Sequence, residues 1–297
     1  MLSIQPKTSF SQAQLSIRLE MWVDSIIYPP SNEFIQTVLP SMELIDYINL
    51  CRCKDYRYSS LITIFRRSCL HLDLFSDRRQ PTIHQLDQLS QHIAQQGNTH
   101  KNFLCQKHST LKYEAKQRLT ELSQLTMRIL DHYARVLVIR VDLGYIGGAQ
   151  STVTIDQVCA HLAALRYKKS TRKGVFANIK GYAWCIEQGV DKGYHIHLAC
   201  FYAGYQHQND WFIANSIGQM WLEIVGEGGM FYSCNTPAVK KNYLDQGLLG
   251  VGMIHRDDPV EVQNAIQAVS YLAGPLKTPQ ALRIRPKGSR TFGTGQF

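Results

Sequence analysis

Residues 182–203, YAWCIEQGVDKGYHIHLACFYA, contain two apolar stretches separated by a short polar segment between glycines. We interpret them as two antiparallel strands joined by a turn at residues 189–193, which places Glu187 directly opposite His195. His195 and His197 share a face because residues two apart on a strand point the same way. A carboxylate and two imidazoles then converge on one point, as in a divalent metal site. A four-residue connector would instead turn Glu187 to the other face.

The composition indicates a globular protein with an anionic partner. The 297 residues are enough for two domains or one large one, and 44% hydrophobic with 10% aromatic residues is typical of a folded chain. The net charge of +9 favours nucleic acid as the partner. Eight cysteines without a Cys-x-x-Cys pair predict reduced thiols. Without a signal peptide or a long apolar run, we expect a cytoplasmic protein that does not engage a membrane.

The chain up to residue 133 has mainly helical patterning. Helices are expected around residues 11–28, 45–50, 61–70 and 111–133, where apolar residues recur at helical spacing. The polar segment Gln95–Ser109 is predicted to be a mobile connection. We therefore assign residues 1–133 to a helical N-terminal region, for which the sequence predicts no chemistry.

The pattern changes at Arg135, where a short β-branched run begins. The expected elements are a strand at 136–143, a glycine-rich turn at 144–148, a helix at 154–168, the hairpin, a helix at 209–225, strands at 230–234 and 248–255, and a helix from Asp258. This order predicts an α+β fold, with helices packed on an antiparallel sheet, for a domain that spans residues 134–297.

Tyr271 lies near the end of the last predicted helix. That helix has a cap-capable Asp258 followed by Pro259, and an apolar stripe that includes Val262 and Val269. Tyr271 is nine residues beyond Val262, which puts it half a turn away from the stripe. We therefore expect Tyr271 to face solvent or a cleft.

Two basic clusters are candidate contacts for a nucleic-acid backbone. The first follows the helix at 154–168, and the second lies in a C-terminal stretch without acidic residues. Their members are Lys168, Lys169, Arg172, Lys173, Arg283, Arg285, Lys287 and Arg290. A solvated loop and a disordered tail are the alternatives. The aromatic residues Trp184, Tyr194 and Tyr202 could stack on unpaired bases or pack within the sheet, and His255 could supply a metal ligand or lie at the surface.

Four motifs together resemble a known family. They are Arg140-Val141-Asp142-Leu143, Gly193-Tyr194-His195-Ile196-His197-Leu198 with Glu187 ahead of it, Ser270-Tyr271-Leu272-Ala273, and the closing Gly288-Ser289-Arg290-Thr291-Phe292-Gly293. From Arg135 to Phe297 the chain resembles the HUH endonucleases, and within them the replication proteins of filamentous inoviruses and related prophage elements. The resemblance leaves the N-terminal region unexplained.

The resemblance implies an HUH/RRM-like sheet and a nicking enzyme for single-stranded DNA at an origin or element end. Glu187, His195 and His197 would hold Mg²⁺ or Mn²⁺. Tyr271 would attack phosphorus and form a 5′-phosphotyrosyl ester, and the freed 3′ hydroxyl would prime rolling-circle replication of a phage or mobile element. Host replication proteins would be further partners.

The chain departs from the family at one position and leaves two alternatives open. The family commonly has Lys three residues after the nucleophile, where this chain has Gly274, so Lys277 becomes the candidate auxiliary cation. An HUH transposase would use the same chemistry. A DNA-binding or regulatory protein that keeps the fold of a decayed nickase would use none.

Overall fold

The computed structural model describes residues 10–29, 41–76, 79–273 and 280–295. In chain order the elements are α1 (Gln12–Ile27), α2 (Ser41–Cys51), β1 (Tyr56–Tyr58), α3 (Ser60–His71), α4 (Ile83–Thr99), α5 (Lys101–His132), β2 (Arg135–Tyr145), α6 (Gly147–Thr152), α7 (Ile155–Ser170), a short 3₁₀ turn (Gly174–Phe176), β3 (Ile179–Gly189), β4 (Gly193–Ala203), α8 (Asp210–Val225), β5 (Gly229–Ser233), α9 (Pro237–Asp245), β6 (Gly252–His255), α10 (Pro259–Ser270), β7 (Ile284–Pro286) and β8 (Phe292–Gly295).

The chain divides into two compact units. The first comprises residues 1–110, 151–156 and 282–289, and the second comprises residues 111–150, 157–281 and 290–297. The predicted boundary between residues 133 and 134 stays a prediction.

The first unit is mostly helical, which confirms the expectation for the N-terminal region. Helix α1 begins at a capping box in which the Ser11 hydroxyl accepts from the Gln14 N–H. Its buried Trp22 meets Phe65 of α3 edge-on, with ring centroids 6.0 Å apart. The short strands β1 and β7 pair antiparallel in the same unit. Apolar faces of α1 to α4 thus supply this unit's core.

The second unit is built on an antiparallel sheet, as predicted. The strand order is β5-β2-β4-β3-β8, and β6 also pairs with β2. Helices α5 and α10 share an apolar core with one face of this sheet. Helix α7 covers the other face, where Leu162 and Leu165 lie beside Trp184 and Leu198, and α8 places Trp221 under β2. Within each strand, residues of odd number and residues of even number therefore point into different cores.

A gap in the strand pairing is filled by one side chain. Strand β5 pairs with residues 141–145 of β2, and β6 pairs with residues 135–138 along the same edge. Between them the side-chain oxygen of Asn235 accepts from the Arg140 N–H at 2.8 Å, and its amide donates to the Val138 carbonyl at 2.9 Å. Asn235 is fully buried. It replaces ladder hydrogen bonds that would otherwise be missing in the middle of β2.

The structure corrects the expectation of a mobile connection at Gln95–Ser109. That segment is the end of α4 and the first turns of α5, with His100 between them. Glutamine and lysine are good helix formers, so a polar stretch can be a helix that faces water. The absence of an apolar stripe there reflects exposure, not loss of helical structure.

Three further expectations differ from the structure. The strand expected at 248–255 is shortened to β6, because Gly252 has φ +91° and breaks the extended run. The turn expected at 144–148 is shorter, since β2 continues to Tyr145 and α6 begins at Gly147. The C-terminal basic stretch contains β7 and β8, so the alternative of a disordered tail is wrong for the described residues 280–295. The unpredicted elements are helices α4, α6 and α9 and strands β1, β7 and β8.

Candidate metal centre

The β3–β4 hairpin brings together the three predicted metal ligands. Gly189 pairs with Gly193, which leaves a three-residue turn, and Glu187 pairs directly with His195. The left-handed φ of +60° at Gly193 is one that glycine adopts without strain. Glu187, His195 and His197 are all buried, with exposed fractions of 3%, 7% and 3%. The predicted register is confirmed, and the four-residue connector is excluded.

The donor atoms of these residues converge on one point. One Glu187 carboxylate oxygen, Oε2, lies 3.0 Å from His197 Nε2 and 3.5 Å from His195 Nε2. One ligand atom from each of the three residues lies within 4.8 Å of the other two. His195 Nδ1 lies 3.2 Å from the Gly193 carbonyl, which can only accept, so Nδ1 carries the proton and Nε2 offers its lone pair.

This donor set fits a divalent cation. Neutral imidazole nitrogens and a carboxylate are ordinary ligands of divalent first-row metals, and three protein ligands leave coordination positions for a substrate oxygen. The structure thus contains a buried Glu/His/His group that can bind a metal.

Asp142 contacts one of the candidate ligands, His197, and was not predicted to do so. It lies opposite His197 in the β2–β4 register, and its Oδ1 is 2.6 Å from His197 Nδ1. A carboxylate in this place fixes the ring and its tautomer and makes the other nitrogen a better ligand. The sequence signal is an acidic residue inside the apolar run at 136–143, where a buried charge requires a partner.

The two carboxylates determine the protonation of His197 in the metal-free protein. Burial lowers the pKa of His197, but hydrogen bonds to Asp142 and Glu187, together with their negative charges, outweigh burial and raise it. The protonated ring is therefore stabilised between two acidic groups. A bound cation would take the place of that proton, so the cation and the proton compete for Nε2.

Tyr271 lies beside this cluster. It is the C-cap residue of α10 and is 50% exposed, so its side chain is outside the apolar stripe, as expected. Its ring meets the His197 ring edge-on at a centroid distance of 5.8 Å. The Arg140 guanidinium carbon lies over the Tyr271 ring, 4.2 Å from its centroid. The last helix thus brings a hydroxyl-bearing ring next to a buried Glu/His/His group.

Comparison with known families assigns the chain to one of them. A family model described as the YagK/YfjJ C-terminal domain matches residues 95–295, more than half of the chain. The chain belongs to this family. The matched range includes β2 to β8, the Glu/His/His group and Tyr271, so the candidate metal centre is part of the YagK/YfjJ C-terminal domain. Comparison with curated proteins and with solved structures gave no match.

The first basic cluster lies on the side of the YagK/YfjJ C-terminal domain that α7 covers. Lys169 Nζ is 3.7 Å from the centroid of the Tyr182 ring, which faces away from Glu187. Lys168 forms an ion pair with Glu223 at 3.5 Å. Arg172 and Lys173 are exposed after the end of α7. The structure therefore does not bring this cluster to the metal centre, and its contact with DNA stays a prediction.

The second basic cluster is divided between the two units. Arg283 is ion-paired with Glu20 at 2.8 Å, and Arg285 lies opposite Arg57 in the β1–β7 pair of the first unit. Lys287 is exposed in the same unit, and Arg290 is exposed in the second. Lys277, predicted as the auxiliary cation, lies outside the described residues.

The aromatic residues named from the sequence are structural. Trp184, Tyr194 and Tyr202 are buried, which confirms the sheet-packing alternative. Met230 and Tyr232 on β5 are instead 40% and 49% exposed, and Tyr232 lies opposite Asp142 on the face of the metal centre. Sequence reasoning missed both, because the neighbour of β2 cannot be read from local pattern.

His255 is exposed, and its Nδ1 forms a hydrogen bond with Glu261 Oε2 at 2.9 Å. It pairs with Arg135 at the start of β2. His255 therefore lies at the surface, which was the second of the two predicted alternatives, and not at the metal centre. Among the described residues, no helix combines the length and apolar character that a membrane crossing requires.

Proposed function

We propose that the YagK/YfjJ C-terminal domain of this chain nicks and rejoins single-stranded DNA through a covalent bond to Tyr271, with Mg²⁺ or Mn²⁺ held by Glu187, His195 and His197. The observation that carries the proposal is the contact of the Tyr271 ring with His197, at 5.8 Å between ring centroids. A half-exposed phenol beside a buried metal-ligating group has the placement of a nucleophile.

The reaction that we propose is a transesterification at phosphorus. The Tyr271 oxygen forms a bond to phosphorus, the bond from phosphorus to the 3′ oxygen breaks, and the 5′ end remains as a phosphotyrosyl ester. The phenol releases one proton and the departing 3′ oxygen takes up one. Because one phosphate ester bond replaces another, the cut requires no nucleotide hydrolysis. When bound, the divalent cation would draw charge from the phosphate oxygens.

Two features of the chain support nucleic acid as the substrate. The net charge of +9 favours an anionic partner. The exposed side chains of Met230 and Tyr232, on the face of the metal centre, offer apolar surface to unstacked bases. We place this activity in the cytoplasm, at the initiation of rolling-circle replication of a phage or mobile element.

The test uses the full chain with Mn²⁺ and a labelled pool of single-stranded DNA from the element that carries the gene. We expect a covalent protein–DNA adduct in a denaturing gel, which requires the divalent cation and is abolished in Tyr271→Phe. Tyr232→Phe is the matched control, because it removes the hydroxyl of an equally exposed tyrosine opposite Asp142 and keeps the ring that would contact bases, so it should leave the adduct intact.

Two outcomes would contradict the proposal. An adduct that persists in Tyr271→Phe would place the nucleophile elsewhere. If the unmodified chain binds DNA but forms no adduct with any divalent cation tried, the result would favour a non-catalytic DNA-binding protein. Exchange of strands between two element ends would instead identify a transposase with the same intermediate.

A further inference from the structure

Arg140 is a buried cation in the middle of an apolar strand. It interrupts the run Val136 to Val141 and is only 7% exposed. Its Nε is buried without a hydrogen-bond partner among the described residues, and its ion pair with Asp142 is long, at 3.8 Å. A buried charge with such incomplete pairing is a poor contribution to stability, so its presence requires another explanation.

The backbone holds Arg140 in one place. Its N–H donates to the Asn235 side-chain oxygen at 2.8 Å, and its carbonyl accepts from the Cys234 N–H at 3.0 Å. These bonds close the gap between β5 and β6, and Asn235 is itself fully buried. The base of the arginine side chain is therefore fixed by the sheet.

The guanidinium lies over the ring of the proposed nucleophile. Arg140 Cζ is 4.2 Å from the Tyr271 ring centroid, well within the range of a cation–π contact. His197 contacts the same ring edge-on at 5.8 Å. The Tyr271 ring thus contacts a cation from β2 and the His197 ring from β4, although its own backbone belongs to the end of a helix.

We propose that Arg140 is a positioning residue that holds the Tyr271 ring toward the metal centre. The proposal rests on the proposed function of Tyr271. A planar guanidinium stacks on a ring face over a larger area than the ammonium of lysine does. Holding the phenol in the attacking orientation lowers the barrier without changing the affinity for metal or DNA.

The first experiment measures the rate of adduct formation in a single turnover, with Mn²⁺ and DNA both saturating. We expect Arg140→Met to lower this rate about 100-fold, the effect of a small misplacement of a reacting group, with the dissociation constants for Mn²⁺ and DNA unchanged. Arg140→Lys should recover part of the rate. Arg135→Met is the matched control, because Arg135 is exposed on the same strand, and it should leave the rate unchanged.

The second experiment does not depend on nicking. The full chain carries 3-fluorotyrosine at position 271, and its ¹⁹F spectrum is recorded without Mn²⁺. We expect the resonance to shift and sharpen in Arg140→Met, because the ring is no longer held, to change in the same direction but less in Arg140→Lys, and to stay as in the parent in Arg135→Met. If Arg140→Met does not fold, Arg140→Lys carries the test alone.

The outcomes separate this proposal from the proposed function. Absence of an adduct in the unmodified chain overturns the nickase, while the ¹⁹F spectra still report on positioning. An unchanged ¹⁹F resonance in the Arg140 variants overturns the positioning role. A loss of Mn²⁺ affinity that equals the loss of rate also overturns it, because Arg140 would then act only by supporting Asp142 and the ligands.

Discussion

Replacing Asp142 by asparagine tests whether His197 is a metal ligand oriented from behind. The substitution keeps the shape of the side chain but removes the charge that faces His197 Nδ1 at 2.6 Å. Loss of such a partner typically lowers metal affinity 10–100-fold. This corresponds to about 1.4–2.8 kcal/mol of binding free energy. Because the bond is short and both residues are largely shielded from solvent, we expect the upper half of that range.

A second effect of Asp142→Asn opposes the first at low pH. Asp142 helps to raise the pKa of His197, so its loss makes the ring easier to deprotonate and weakens competition from protons. Above the raised pKa of His197 no proton competes, and only the orienting effect remains. The loss of Mn²⁺ affinity should therefore be largest at alkaline pH and smaller below neutrality.

The assay is titration calorimetry with Mn²⁺ on the full chain at several pH values. Asp245→Asn, which removes an exposed carboxylate from α9, is the control for the change in net charge. Equal Mn²⁺ affinity of Asp142→Asn and the parent protein at alkaline pH would refute the reasoning, because a ligand that depends on Asp142 for its orientation cannot be indifferent to its loss.

Three further predictions concern stability. In the metal-free protein, the raised pKa of His197 contributes stability that is fully present below its unfolded pKa of about 6.5 and is lost as pH rises through the folded pKa. The Tm of the metal-free protein should therefore fall as pH rises through that range. The rise in Tm on addition of Mn²⁺ should grow over the same range. Gly250→Ala should lower the free energy of unfolding by about 1–3 kcal/mol, because the added Cβ would lie 2.0 Å from the Asn264 carbonyl oxygen. Urea unfolding measures this loss. Gly148→Ala is the control, because its added Cβ would meet no atom within 4 Å. Asn235→Ala should cost about 1–3 kcal/mol or more by the same measurement, because it leaves buried groups of β2 unpaired, and an unchanged unfolding midpoint would show that water replaces the amide.

Local patterns account for the elements that the sequence predicted well. The start of α10 follows from the capping residue Asp258, whose carboxylate accepts from the Val260 and Glu261 N–H groups. The Glu187–His195 pairing follows from the period of a strand and the length of one turn. Both depend on residues close together in the chain, which is why they are visible without a structure.

The parts of the centre that could not be predicted depend on contacts between distant segments. Asp142 reaches His197 only because β2 lies beside β4, across 55 residues of sequence. Arg140 reaches Tyr271 because α10 packs on that face of the sheet. Hydrophobic periodicity identifies the buried face of each element but does not say which elements are neighbours. The helical structure within residues 95–109, the end of α4 and the start of α5, was missed for another reason, since an exposed polar helix lacks the apolar stripe on which such predictions depend.

The hairpin turn between Gly189 and Gly193 has a consequence for how sequences of this kind can vary in length. Glu187 lies two residues before the turn and His195 two residues after it, in paired positions of β3 and β4. A residue inserted within either strand, between a ligand and the turn, would send that ligand into the opposite core. An insertion among Val190, Asp191 and Lys192 would leave the paired positions in place. Length changes in this part of the chain should therefore be tolerated at those three residues and nowhere else between Glu187 and His197.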